Sequence, residues 1–229
     1  MELNIFQNEF RDLSNKFNEN EKIIQKLEIR GNCLEEVNAE LDKLDSVMEA
    51  MSVDALKAKK LSKAGQQLIA EHAFARDCLE PKCFELKTMC KRQEGLFLER
   101  GSALLKFLDL FDGLENISKW CTTVTQHLNR DQDMDQGGQD IFSQIRQIDY
   151  LISKSRDLKI KSRVDFEEDF DDIKDLISPK TLFMVDDKLN MLTEVKQEVI
   201  DRRDMLREKA SKDPNISTAC ENSDDLAVR

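Results

Sequence analysis

The sequence predicts an all-α protein: two tandem three-helix, left-handed coiled-coil bundles joined by a continuous helix. Three observations predict it. Of 229 residues, 35% are charged, 40% hydrophobic and 6% aromatic, with seven Gly and three Pro. Long amphipathic helices have this composition, whereas sheets and hairpins consume more turn residues. Apolar residues recur at alternating intervals of three and four along most of the chain, the seam of helices packed knobs into holes. The pattern also repeats after about one hundred residues. A shift of 101 carries Phe6, Phe10 and Leu13 onto Phe107, Phe111 and Leu114, and a shift of 103 carries Leu79, Leu86 and Met89 onto Leu182, Leu189 and Leu192.

The first helix is carried by Leu3, Phe6, Phe10, Leu13, Phe17, Ile24 and Leu27, with Asn20 the one polar member of the stripe, and Gly31-Asn32 ends it. Leu34, Val37, Leu41, Leu44, Met48 and Met51 open the second, whose phase slips near Ser52-Val53-Asp54 before Leu61 and Leu68 resume it; a stutter or short break is expected there. This helix should end around Glu71-His72-Ala73. The third starts near Leu79, because Pro81 suits a first turn. Its seam runs through Cys83, Leu86, Cys90, Phe97, Leu104, Phe107, Phe111 and Leu114 to Cys121 and Leu128, with Gln93 and Arg100 as polar interruptions. One helix of about fifty residues, about 70 Å long, exceeds a single compact domain and should join two.

Asn129 to Asp133 and Gly137-Gly138 read as a loop. Ile141, Ile145, Ile148 and Ile152 open the fourth helix, and the basic, poorly patterned stretch from Lys154 to Lys161 predicts a break or kink. Val164, Phe166, Phe170, Ile173 and Leu176 continue helically among acidic residues. Ser178-Pro179 then opens a last helix bearing Leu182, Val185, Leu189, Leu192, Val199 and Leu206. The expected division is a first repeat over 1–102, a second over 103–211 and a disordered polar tail over 212–229.

The net charge of −11 repels phosphate backbones, which argues against nucleic acid, and disfavours anionic membranes. A neutral or basic protein surface is the easier partner. No apolar run is long enough to insert in a membrane, and the N-terminus lacks the pattern of a signal peptide. Asn116-Ile117-Ser118 and Asn215-Ile216-Ser217 spell a glycosylation pattern that, in a cytoplasmic chain, is read as chance. Cys33, Cys78, Cys83, Cys90, Cys121 and Cys220 form no C-x-x-C pair and are read as reduced, core-facing thiols.

No catalytic, cofactor-binding or metal-binding residue can be nominated. His72 and His127, the only histidines, lie far apart in sequence, so no nucleophile–base pair is argued from them. His72 with Cys78 and Cys83 has no zinc spacing. The run Asp165 to Asp172 lacks the glycine and alternating ligands of a calcium loop and is read as a solvated face. Trp120 is read as core of the second repeat rather than an exposed anchor.

The two periods, the run Ala64-Gly65-Gln66-Gln67-Leu68 to Glu71-His72, and Phe107-Leu108 with Ile117 and Trp120-Cys121 together resemble the spectrin repeat. The first repeat departs from it in having Phe17 near the place of the usual buried Trp. Leu79-Glu80-Pro81-Lys82-Cys83-Phe84-Glu85-Leu86, followed by Cys90, resembles the spectrin-repeat region of Dbl-like Rho guanine nucleotide exchange factors, the type related to Trio and kalirin. In those proteins the region lies between two neighbours, an N-terminal Sec14-like domain and a catalytic exchange domain paired with a pleckstrin-homology domain. Neither fits in this chain, so the resemblance implies a fragment or short isoform without exchange activity. It implies a non-catalytic, cytoplasmic scaffold that docks proteins, whether the parent's exchange domain, Rho-type GTPase signalling partners or cytoskeletal proteins, and spaces or restrains the absent exchange domain. The rival expectation is a spacer in an actin-linked protein. Whether the seams are satisfied within one chain or between chains stays open at this level.

Overall fold

A computed structural model describes residues 2–27, 33–133 and 141–212. Among them the chain is α1 (Glu2–Lys26), α2 (Leu34–Glu71), a 3-10 turn (Ala73–Ala75), α3 (Arg76–Asp133), α4 (Ile141–Ser155), α5 (Arg163–Asp169), a 3-10 helix (Asp171–Leu176) and α6 (Pro179–Lys212), with no strand. It divides into two compact units, the first taking residues up to 109 with 175–178, the second taking 110–174 and α6. The 58 residues of α3 run unbroken through both, which is the continuous helix joining two bundles.

In the first unit α1 buries Phe6, Leu13, Phe17, Asn20 and Ile24 of the expected stripe, its polar member included, with Leu3 and Phe10 half-buried. The Gly31-Asn32 stop lies outside the described residues. α2 corrects the expected break, for it is one helix across Ser52-Val53-Asp54. Its buried line passes through Val37, Leu44, Val47, Asp54, Ala58, Leu61 and Gly65, while Met48 stands exposed. The seam keeps one phase throughout. It looks broken only when large apolar residues alone are counted, because Asp54, Ala58 and Gly65 occupy positions too tight or too polar for them. At Gly65 a Cβ would fall 2.6 Å from Cys83 Sγ and 2.7 Å from Phe6 Cε2, so the absence of a side chain lets the three helices close there.

α3 begins at Arg76 rather than near Leu79, straight from the 3-10 turn, and Pro81 falls in its second turn. The carbonyl of exposed Asp77 is the one that the missing proline N–H leaves, and solvent reaches that side. The helix also runs through Asp133, beyond the loop expected from Asn129, since no Gly or Pro interrupts it before Gly137. The glycine pair lies outside the described residues.

The second unit is built on Leu114, Ile117, Trp120, Cys121, Val124 and Leu128 of α3, all buried. α4 ends at Ser155, inside the stretch where a break is expected. Its buried face is Gln144, Ile148, Leu151 and Ser155, so of the expected stripe only Ile148 is fully inward. The next segment is not one helix but α5 followed by the 3-10 helix, with Phe166, Phe170 and Ile173 inward and Val164 exposed. Ser162 caps α5: its Oγ accepts from Asp165 N at 3.2 Å and donates to the Asp165 carboxylate at 3.0 Å. Ile160, fully buried between the two helices, sits on Gly113 of α3. α6 opens at Pro179 and buries Thr181, Val185, Leu189, Leu192, Val199 and Leu206. Apart from Lys212, which closes α6, the tail lies outside the described residues.

Candidate protein-interaction surfaces

The residues that sequence reasoning weighed for chemistry are placed as follows. His72 caps the end of α2, its ring centroid 5.6 Å from that of Phe74. Cys83 is buried and its Sγ donates to Ser62 O at 3.7 Å, whereas Cys78 is exposed, which corrects its reading as core-facing; Gln7 Nε2 donates to its sulfur at 3.6 Å. Among the described residues no three His, Cys, Asp or Glu side chains gather as they would around a metal ion. Burial pushes the Cys83, Cys90 and Cys121 thiols above their ordinary pKa, away from the reactive thiolate. The acidic run places Glu167, Glu168, Asp169, Asp171 and Asp172 in solvent, with Arg163 holding Glu167 and Lys174 holding Asp171. Trp120 is core, its indole donating to Leu151 O at 3.0 Å. No helix is long and apolar enough to cross a membrane among the described residues.

What the fold leaves outside is apolar surface on helices. On α3, Phe84 (72% exposed), Leu98 (61%) and Leu105 (56%) stand on the side away from the seam of Cys83, Leu86, Gln93 and Leu104. Phe74 lies bare on the 3-10 turn, Tyr150 on α4 and Phe183 on α6. Between α1 and α2 runs an open groove of about 430 Å³, lined by Glu9, Asp12, Lys16, Lys57 and Lys60 around Leu13, Leu61 and Ala64. Such surfaces bind by helix packing and peripheral charge. Sequence reasoning missed the α3 side because the core seam, richer in large residues, dominates the periodicity of the same helix.

The Spectrin repeat family model matches residues 1–106, a little under half of the chain. Residues 1–106 are a spectrin repeat. The chain is also similar, 33% identical over 120 residues, to guanine nucleotide exchange factor DBS of Rattus norvegicus, covering 52% of this chain and 10% of the relative. DBS of Homo sapiens is 37% identical over 91 residues, covering 40% and 8%. Probable guanine nucleotide exchange factor MCF2L2 of Homo sapiens is 34% identical over 65 residues, covering 28% and 6%. The chain thus spans about a tenth or less of the length of the curated relatives it matches. This similarity to exchange factors agrees with the resemblance carried by the Pro-Lys-Cys stretch. No solved structure matches.

Proposed function

We propose that this spectrin-repeat region is a non-catalytic, cytoplasmic scaffold of exchange-factor type. It would dock other proteins on its exposed helix faces and space or restrain an exchange domain supplied by its parent or by another chain. The observation that carries the reading is α3, which passes without interruption from the spectrin repeat into the second unit and would fix the separation of whatever is attached at either side. We place the repeat limits at 1–102 and 103–211, inside that helix; a division into compact units a few residues further on supports this. Buried thiols held protonated and solvated carboxylates engaged by local cations support a binding role over a catalytic one.

Nucleotide release from a Rho-type GTPase, driven by the catalytic part of the DBS relative, tests the restraint. Adding this chain should slow release in a dose-dependent manner. Rates that do not change across a large excess would remove the restraint and leave docking alone.

A further inference from the structure

We propose that the outward face of α3 over residues 84–106 is a self-association surface, on which a second copy of this chain lays its own α3 in antiparallel orientation. The face lies wholly within the first unit and stands whether or not the exchange-factor reading does.

This face carries a heptad of its own. Phe84, Lys91, Leu98 and Leu105 fall seven residues apart, with Thr88, Gly95 and Ser102 between them, and all seven are exposed. Alternation of three and four is what a facing helix requires. Large side chains occupy one set of positions and small ones the other. Around Gly95 nothing lies within 4 Å of where a Cβ would stand, so the position is an open socket on the helix surface. An antiparallel pair that sets Gly95 opposite Leu98 of the second copy also sets Thr88 opposite Leu105 and Lys91 opposite Ser102. Leu98, Leu105 and Lys91 then each meet a small residue, Phe84 lies at the end of the face opposite Asp109, and two-fold symmetry makes every such contact twice.

The flanking charges select both the orientation and the partner. In that antiparallel alignment Glu85 faces Lys106 of the second copy and Arg92 faces Glu99, opposite signs in each case. A parallel in-register pair would instead set Lys87 against Arg92 and Glu94 against Glu99, like signs in each case. Arg92 also holds Glu21 of α1, so in the pair its guanidinium would lie between two carboxylates. The face is therefore complementary to itself in one orientation and repulsive in the other.

Sedimentation equilibrium on the full chain from about 1 μM to 1 mM, the range of weak specific association, tests this. The mass is expected to rise from monomer to dimer. Leu98→Glu should weaken the dimer at least about tenfold while circular dichroism stays unchanged, since the side chain already faces water. Glu85→Lys should weaken it by a few-fold, and Glu85→Lys combined with Lys106→Glu should restore it. A chain that stays monomeric throughout, or a dimer that Leu98→Glu leaves intact, overturns the proposal. A double charge swap no tighter than the single one overturns the antiparallel alignment.

Discussion

Gly65 and Gly95 are both helical glycines, yet they stand in opposite surroundings. At Gly65 an added methyl meets Cys83 Sγ and the Phe6 ring well inside van der Waals contact, and both neighbours belong to the packed core of the first unit. At Gly95 it meets nothing. Ala improves helix propensity by about 1 kcal/mol at either site, while overpacking costs about 1–3 kcal/mol. Gly95→Ala should therefore raise the midpoint of urea unfolding, measured dilute enough to keep copies apart, and Gly65→Ala should lower it. Equal shifts of one sign would mean that the approach of α1, α2 and α3 at Gly65 is looser than these distances. Residues of this kind are where sequence reading stops. A periodicity count rewards Leu and Met and passes over Gly, Ala and Asp, so Met48 reads as seam and Asp54 as its interruption, although their burial is the reverse.

Among the elements, the segment from Ser155 to Leu176 separates the two units' architectures. In the first, α2 runs 38 residues without a break; in the second, the corresponding stretch is α4, an irregular turn held by buried Leu158 and Ile160, α5 and a 3-10 helix. The basic run from Lys154 to Lys161 announced the break, and Ser178-Pro179 announced the next helix. The division into α5 and the 3-10 helix was not legible, because Phe166, Phe170 and Ile173 satisfy helical spacing in either form. The cap of α5 is pH-sensitive. Hydrogen bonding from Ser162, then from the Lys161 backbone, holds Asp165 below the ordinary aspartate pKa. A carboxylate with a lowered folded-state pKa contributes stability above its unfolded value, near pH 4, and loses it as pH falls through the lowered one. The protection factor of the amides across 162–170, taken against the unstructured exchange rate at each pH, should thus fall as pH drops below about 4. In Ser162→Ala it should already be low at neutral pH, with about 1 kcal/mol of local stability gone. A protection factor that holds constant below about pH 4 would count against the cap.

For the whole molecule, the sequence announces two helical repeats sharing one helix through its hundred-residue period, and places that helix to within a few residues at its start. The first repeat's family is legible because Gly65, Leu79, Cys83 and Leu86 of its motif stretches hold core positions. An interaction face, by contrast, is selected against a partner that the sequence does not contain, and only the folded helix separates the inward seam from the outward one. Because α3 belongs to both units, they should unfold together. Trp120, the only tryptophan, reports on the second unit by fluorescence, and far-ultraviolet circular dichroism reports on all helices. The two transitions should coincide. In Asp109→Pro, where a lost helical hydrogen bond costs about 3 kcal/mol, they should separate. Coincident transitions in that variant would show that α3 is not what couples the units.

One turn of α1 has a further meaning. Phe17 O accepts from buried Gln93 Nε2 of α3 at 2.6 Å, Asn20 Nδ2 reaches Asp54 Oδ2 of α2 at 3.5 Å, and Glu21 holds Arg92 of α3. Apolar layers are interchangeable, so a helix pulled along its axis could drop one heptad and find equivalent contacts. The Asn20–Asp54 pair has no counterpart one heptad away, where Leu13 stands on α1 and Leu27 just past its end, and sliding would strand both polar groups in the interior. Under a stretching load α1 should hold its place without creep and then release abruptly, as a pawl does rather than a clutch.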